Sequence, residues 1–553
     1  MQGAVRFVWV AVAVLIAAGV SVGGWAWLGR PVDIVDVPGG RFQCLSYAPA
    51  SELGSPLIAV DGIYPVPDGL IAADLAVLRD YTDCVRTYSM LGAQGDVLPL
   101  AAAAGMQVLV GIWIGADDAR NEVEIERALA LAHAHPQAVR AIVVGNEVLL
   151  RREMTGARLA RIIASVKART DLPVTYADIF EFWRRNPEVA AAVDIVTIHV
   201  LPYWDDPAPV DIDHVQAHVR GIVARAQATF PGKRMQIGEI GWPSAGRTRA
   251  GAVPSRVNEA RFVREFAAQA TAIGLPYNLI EAVDQDWKRV PEGTVGGFWG
   301  ILDGARTLKF PLAGPVREWP DWRNAAAWTG GLAILLVLAI AMRERTIAGW
   351  RWPLLGLAAA GSTMTLWALV AQLRLIAIGW AGDVWSVFLV TIAVAGGGVL
   401  LAELAGARLP RPARLAEMAA RDWRRPDTAA WVGLLQWAVL GSAAVVALSF
   451  AVDGRHRDFL QLAFALPAVA FALGAWRRRG AKAMARDRAE GWVALVLIGA
   501  APFAIDAAVN REAWVWASLC WLLAAPWAGA AWRALRVEAA GFSGARRGRR
   551  APG

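Results

Sequence analysis

Apolar residues follow two rhythms along this chain. From Phe7 to Leu28 there are 22 residues without a charge, ending in Trp25, Ala26 and Trp27. A run of about 20 apolar residues is long enough to cross a bilayer as a helix, and aromatic residues collect at its edge. A cleavable leader has a shorter apolar core of about 7–15 residues, so residues 1–30 are expected to be an uncleaved anchor. No comparable run occurs from Pro31 to Pro320. Apolar runs then return in series, near 325–342, 353–373, 384–402, 429–451, 459–476, 492–508 and 513–532. With the anchor they predict about eight membrane spans, seven of them in an all-α transmembrane module over 325–532.

The second rhythm fills residues 31–312. Short β-rich runs alternate with longer helical ones, the pattern of a parallel sheet with crossover helices. Eight strands are expected: Phe42–Tyr47, Cys84–Tyr88, Gln107–Ile114, Ala141–Asn146, Val174–Ala177, Ile195–Val200, Met235–Ile240 and Asn278–Val283. Helical stretches such as Asn121–His133, Ala157–Arg169 and Asn258–Ile273 separate them. Eight such units suit an α/β fold of the (β/α)8 TIM-barrel type. An open doubly wound sheet would want a Gly-rich phosphate loop after its first strand, where this chain has Ser46, Tyr47, Ala48 and Pro49. Residues 313–324 are expected to link the barrel to the membrane module, and 533–553 to form a basic tail.

Composition and charge sharpen the division. Hydrophobic residues make up 56% of the 553 positions and charged ones 19%, with a net charge of +8, which excludes a disordered chain. Residues 31–320 hold 28 Lys and Arg against 34 Asp and Glu; the remainder holds 28 against 14. With the N-terminus inside, the inner segments carry 22 Lys and Arg and the short outer loops only 4. That is the positive-inside asymmetry. It predicts a multi-pass membrane protein with both termini cytoplasmic and residues 31–320 outside. The tail with Arg546, Arg547, Arg549 and Arg550 is then an orientation signal beside anionic lipid, and no nucleic-acid partner is expected.

Chemistry in such a barrel sits at the C-terminal ends of the strands. Candidates there are Tyr47; Arg86 and Tyr88; Trp113; Asn146 and Glu147; Asp178 and Glu181; His199, Tyr203 and Trp204; Glu239 and Trp242; and Asp284, Asp286, Trp287 and Lys288. Two of these are carboxylates that end apolar strands: Glu147 in VVGNEV and Glu239 in IGEIGWPS. Strands four and seven can converge across the barrel mouth. Glycoside hydrolysis needs such a pair, one carboxyl to protonate the leaving oxygen and one, ionised, to attack the anomeric carbon. Apolar surroundings and a neighbouring negative charge are expected to keep the acid protonated. Asn146 is placed to bond a sugar 2-hydroxyl.

These motifs, with CLSYAP at strand one, VRTYS at strand two and VDQDWK after strand eight, resemble glycoside hydrolase family 17, over roughly residues 38–312. The resemblance implies a (β/α)8 barrel acting on β-1,3-glucan with retention, Glu147 as acid/base and Glu239 as nucleophile. Plant-type members end strand eight with a Glu three residues before a Lys, where this chain has Gln285 and Lys288. The SYAP and DQDWK forms look more like the membrane-bound bacterial branch, which is associated with making β-1,3/β-1,6-glucans. The expected activity is therefore a glucanosyltransferase, with an endo- or exo-β-1,3-glucanase as one alternative and a non-catalytic glucan-binding or export component as another. Tyr47, Arg86, Tyr88, Trp113, Asn146, His199, Tyr203, Trp242, Asp284, Trp287 and Lys288 are the expected substrate-binding residues. Trp204, Phe298 and Trp299 are further candidates for aromatic platforms. Expected partners are a β-glucan oligosaccharide or polysaccharide, the lipid bilayer, and a membrane glucan synthase or exporter.

His214 and His218 have the spacing of helical metal ligands, but no third ligand adjoins them, so neither metal nor cofactor is expected. Cys44 and Cys84 lie on neighbouring strands. A disulfide is one reading; buried free thiols are the favoured one, because adjacent strands rarely offer the needed geometry.

Overall fold

A computed structural model describes residues 2–49, 66, 69–206, 209–344, 346–407, 409–421, 423–478, 488–529 and 532. Its contacts divide the chain into two compact units: Pro31–Glu318, and Met1–Arg30 together with Trp319–Gly553.

The first unit is a closed barrel of eight parallel strands in sequence order. They are β1 (Leu45–Ser46), β2 (Cys84–Arg86), β3 (Gln107–Ile112), β4 (Val139–Asn146), β5 (Val174–Ile179), β6 (Ile195–Val200), β7 (Arg234–Ile240) and β8 (Tyr277–Leu279). The apolar stretches of β3 to β6 form near-continuous buried runs, as expected of strands covered on both faces. Helices between them start where the chain supplies a cap. Asp117 accepts from Ala119 and Arg120 N–H before Asp118–Ala134, Thr155 from Arg158 N–H before Gly156–Lys167, and Ser255 from Asn258 N–H before Arg256–Ala272. These side chains satisfy backbone donors that the first turn leaves open. A two-residue antiparallel pair, Pro31–Val32 with Val316–Arg317, brings the ends of the unit together.

The barrel interior corrects the favoured reading of the cysteines. Leu45 pairs with Val85 in the β1–β2 ladder, so Cys44 and Cys84 are neighbours one step lower. Their Cα atoms are 4.5 Å apart and they form a disulfide. This spacing lies within the normal range for such bonds. Both are fully buried, in a layer with Leu109, Ala141, Val143 and Ala177.

The second unit is helical among its described residues. Five helices are long and apolar enough to cross a membrane: Ala4–Leu28, Trp322–Arg343, Arg351–Ile376, Gly379–Ala405 and Thr428–Asp453. The last three expected spans fall on shorter helices: Gln461–Arg477, Arg488–Ala500 and Arg511–Ala524. The latter two run into 3-10 turns at Ala501–Ala504 and Ala525–Trp527, each opened by an internal proline, Pro502 or Pro526. Proline has no N–H to continue the ladder. The expected basic tail, 533–553, lies outside the described residues.

Within this unit the N-terminal helix is packed by small residues and tied by hydrogen bonds. Ala13 and Ala17 are fully buried with Ala359 and Ala360, and Trp25 Nε1 donates to Thr329 Oγ1 at 3.0 Å. Small residues let helix backbones approach closely in apolar surroundings.

Candidate active site

Register shifts in the barrel ladders flank Glu147, His199 and Glu239. One precedes Asn146 on β4, one falls between Ile198 and His199 on β6, and one between Ile237 and Ile240 on β7. Such irregularities re-aim side chains next to active sites. At β4, Gly145 takes φ 91° and Glu147 φ 53°. Glycine enters that region freely, whereas a glutamate does so rarely. Glu147 is held there by its own backbone: its N–H donates to Ala177 O and its carbonyl accepts from Arg151 N–H, each at 2.8 Å. On β7, Gly238 leaves room for the imidazole, since a Cβ there would come within 3.0 Å of His199 Nε2.

These turns bring the two glutamates together around His199. His199 Nδ1 is 3.0 Å from Glu147 Oε1 and 3.6 Å from Glu239 Oε2. One oxygen of each glutamate and a His199 nitrogen all lie within 4.8 Å of one another. Arg86 closes the set from β2. Its Nη1 donates to Glu239 Oε1 at 3.1 Å and Gly238 O at 2.7 Å, and its Nη2 to Asn146 Oδ1 at 2.6 Å. Tyr88 OH lies 2.9 Å from Glu239 Oε1 and 2.9 Å from Ser46 Oγ. By spacing alone, the Glu147–His199–Glu239 trio could hold a cation. The Arg86 guanidinium, buried against Glu239 and 3.4 Å from His199 Nε2, already supplies positive charge at that point.

The electrostatics revise one expectation. Burial, the largest influence, pushes the Glu147 carboxyl up, but the hydrogen bond and charge of His199, with Arg86 and Arg151, outweigh it and hold Glu147 below the ordinary glutamate value. These contacts favour an ionised Glu147, not the protonated acid that apolar surroundings would predict, because three basic groups adjoin it. The ionised carboxylate accepts from His199 Nδ1–H. Burial and the charge of Glu239 hold the Tyr88 phenol well above its usual value, so it is a hydrogen-bond donor. Asp178 is pushed up to about 6, chiefly by burial; Tyr176 OH donates to it.

A third glutamate joins the site from just beyond β8. Glu281 is buried, and Lys288 Nζ donates to its two oxygens at 2.8 and 2.9 Å. Burial pushes Glu281 up to about 7 against the pull of Lys288. Burial pulls Lys288 down, but Glu281, Glu292 and Glu239 outweigh it and hold the ammonium above the usual lysine value. The plant-type Glu–Lys spacing drew attention to Gln285, yet the carboxylate that meets Lys288 is seven residues upstream. The signal was present in NLIEAV, the same pattern of apolar strand followed by Glu that marks Glu147 and Glu239. It was hidden because β8 was expected to run to Val283, whereas it ends at Leu279.

Other expected residues have different neighbours. Tyr47, Tyr203 and Trp242 are fully buried: Tyr47 OH donates to Asp74, Tyr203 OH to Arg247 O and Trp242 Nε1 to Val253 O. Trp113 lies under the Arg151 guanidinium at 4.3 Å, beside the Glu147 turn. Trp287 Nε1 donates to Gln285 Oε1. Asp284 accepts from Lys309 Nζ at 3.0 Å and Gly300 N–H at 2.8 Å. Trp204 and Trp299 stack with their planes 13° apart. Ser46 and Asn278, not anticipated, support the clamp: Asn278 Nδ2 donates to Ser46 Oγ at 2.7 Å.

Residues 65–300 match the model of the BtgE/BtgC glycoside hydrolase domain. The barrel is similar to glycoside hydrolase family 17. A protein named glucan 1,3-beta-glucosidase from Schizosaccharomyces pombe is 29% identical over 276 residues, covering 46% of this chain and 83% of that protein. One of the same name from Candida albicans is 27% identical over 267 residues, covering 43% and 84%. Among solved structures, the family 17 beta-1,3-glucanosyltransferase of Rhizomucor miehei is 24% identical, covers 48% of this chain and 95% of its own, and has a TM-score of 0.42. In this barrel, Glu147 and Glu239 stand at the ends of the fourth and seventh strands.

Proposed function

We propose that this chain is a membrane-anchored, retaining glucanosyltransferase that remodels β-1,3-glucan, with Glu147 as acid/base and Glu239 as nucleophile. The carrying observation is the approach of the two carboxylates, with oxygens within 4.8 Å. Retaining glycosidases hold the pair about 5–5.5 Å apart, whereas inverting ones leave a wider gap of about 6.5–9.5 Å for water. The names of the relatives support β-1,3-glucan as the substrate class.

In the first half-reaction, a Glu239 oxygen attacks the anomeric carbon while Glu147 passes a proton to the departing oxygen. Arg86 and Tyr88 hold the attacking carboxylate, and Asn146 meets the 2-hydroxyl. A glucan filling the cleft excludes water and strengthens the upward push of burial on Glu147, which favours uptake of the proton it must deliver. In the second half-reaction, Glu147 accepts the proton of an incoming sugar hydroxyl, whose oxygen takes the anomeric carbon from Glu239. A 6-hydroxyl acceptor would give a β-1,6 linkage. Hydrolysis by the same glycosyl-enzyme is the second reading, favoured by the glucosidase names of the relatives.

The proposed setting has residues 1–30 as an anchor, 31–312 as a periplasmic barrel, 313–324 as a linker, 325–532 as a membrane module and 533–553 as a cytoplasmic tail. Five membrane-length helices support it. Anchoring keeps the enzyme near a membrane source of nascent glucan, such as a synthase or exporter.

The purified full chain, incubated with β-1,3-gluco-oligosaccharides, is expected to yield products longer than the donor, with new 1,6 linkages visible by linkage analysis. Exclusively shorter products would replace transfer by hydrolysis. Glu239→Ala is expected to lower turnover by about 10⁴-fold or more; near-normal activity would refute the site assignment.

A further inference from the structure

The Cys44–Cys84 bond lies one step below the clamp on Glu239. Side chains alternate along a strand, so the next residue on the face of Cys44 is Ser46, and the next on the face of Cys84 is Arg86. The ladder joining β1 to β2 is two pairs long, Leu45 with Val85 and Ser46 with Arg86, with one further parallel bridge, Phe42 with Thr82, below the disulfide. The disulfide packs in an apolar cluster with Leu109, Ala141, Val143 and Ala177. Above it the contacts bear on one carboxylate. Arg86 reaches Glu239 at 3.1 Å, Tyr88 OH lies 2.9 Å from both Glu239 and Ser46, and Asn278 fixes Ser46.

We propose that the Cys44–Cys84 disulfide is a positioning element of the active site, locking the β1–β2 seam so that Ser46, Arg86 and Tyr88 hold Glu239 in its attacking position. It rests on the reading of Glu239 as nucleophile. With a short ladder and one isolated bridge across the seam, a slip of β1 against β2 meets less resistance once the bond is gone. Such a slip would move the donors on Glu239 relative to β7, which carries it. A misplacement of about 1 Å can cost about 100-fold in rate. The barrel would then work at full rate only where thiols are oxidised, as they are outside the cytoplasm.

The test uses the full chain with the bond removed in two ways, Cys44→Ala/Cys84→Ala and the bulkier Cys44→Val/Cys84→Ala. Each is assayed with a 2,4-dinitrophenyl β-glucan oligosaccharide, whose leaving group needs no proton, so the pre-steady-state burst of dinitrophenol reports attack by Glu239 and not acid assistance by Glu147. The expected result is a burst rate constant lowered about 10- to 100-fold with an unaltered near-UV spectrum. Adding Tyr88→Phe should cost less in the bond-free protein than in the native one, since coupled residues are non-additive. An unchanged burst rate constant with a lower melting temperature would assign the bond to stability alone. Full additivity with Tyr88→Phe, or failure of both variants to fold, would overturn the proposal in the same way. A Glu239→Ala protein that still turns over the activated donor would instead refute the nucleophile assignment.

Discussion

In the barrel, Arg86, His199 and Glu239 are buried in mutual contact, whereas the charged side chains of the helical unit gather at helix ends. Glu403 lies in the last turn of Gly379–Ala405 and pairs with Arg477 and Arg478 at the end of Gln461–Arg477. Arg351 opens its helix and donates to Leu404 O. Within the helices, several hydroxyls bond back to their own turn, as Thr329 does to Ala325 O, Thr391 to Val387 O and Ser442 to Ala438 O. The difference follows from geometry. A closed ring of strands aims the last inward side chain of each at a common centre, so charges there find partners. A helix in apolar surroundings sends its side chains outward, where an unpaired charge is expensive. Buried charge in the barrel mouth should therefore govern turnover, and buried charge in the helical unit should govern stability.

Arg86 puts the first half of that contrast to its strongest test. Arg86→Lys keeps a charge but not the fork that spans Glu239, Gly238 O and Asn146. It is expected to lower kcat about 100- to 1000-fold, equivalent to about 3–4 kcal/mol in the barrier, with a melting temperature shifted by only a few degrees. A proportionate loss of stability and rate would break the distinction.

The groups in that test show what could be read from the chain. The barrel was legible because eight apolar runs recur with helical spacers. Arg86, Asn146, Glu147, His199 and Glu239 were legible because strand ends carry function in this architecture. The ionisation of Glu147 was not, since it is set by a histidine 52 residues away whose distance depends on register shifts in three ladders. The disulfide likewise depends on the β1–β2 register, which neither strand encodes alone. Glu281 was missed through a strand end misplaced by four residues. The lengths of the last helices turned on Pro502 and Pro526, which can either kink a helix or end it.

Glu259 sharpens the comparison, being a buried charge in the barrel but outside the reacting centre. It pairs with Lys309 Nζ at 3.1 Å, and Lys309 also reaches Asp284 and Ser244. Burial pushes Glu259 up to about 8 against the pull of Lys309. A carboxyl whose folded value is raised contributes stability that is fully present below the unfolded value, about 4.5, and is lost as pH rises through the folded one. The barrel should therefore lose stability between about pH 5 and 8. Glu259→Gln cannot ionise and still leaves Lys309 its Asp284 partner. It should flatten that loss by about 2–3 kcal/mol, read from hydrogen exchange of the barrel strands, with kcat nearly unchanged. Glu281 and Asp284, raised to about 7 and 6, contribute in the same direction, so part of the slope should remain. An equally steep slope in the variant would show that Glu259 does not titrate in this window.

Glu403 tests the other half with the smallest expected effect. Its carboxylate is 5% exposed and lies 2.9 Å from Arg477 Nη1, while the side chains of Arg477 and Arg478 are 25% and 30% exposed. Because both arginines keep access to solvent, removing their partner should cost less than breaking a fully buried pair, about 2 kcal/mol rather than the usual 3–5. Glu403→Gln is isosteric and still accepts one hydrogen bond from the paired arginines. The expected outcome is a lower melting temperature of the helical unit in detergent, with turnover per folded molecule on soluble oligosaccharides unchanged. A loss of turnover at full stability would mean that a charge at a helix end also serves the chemistry, and the division of labour between the two units would fail at that residue.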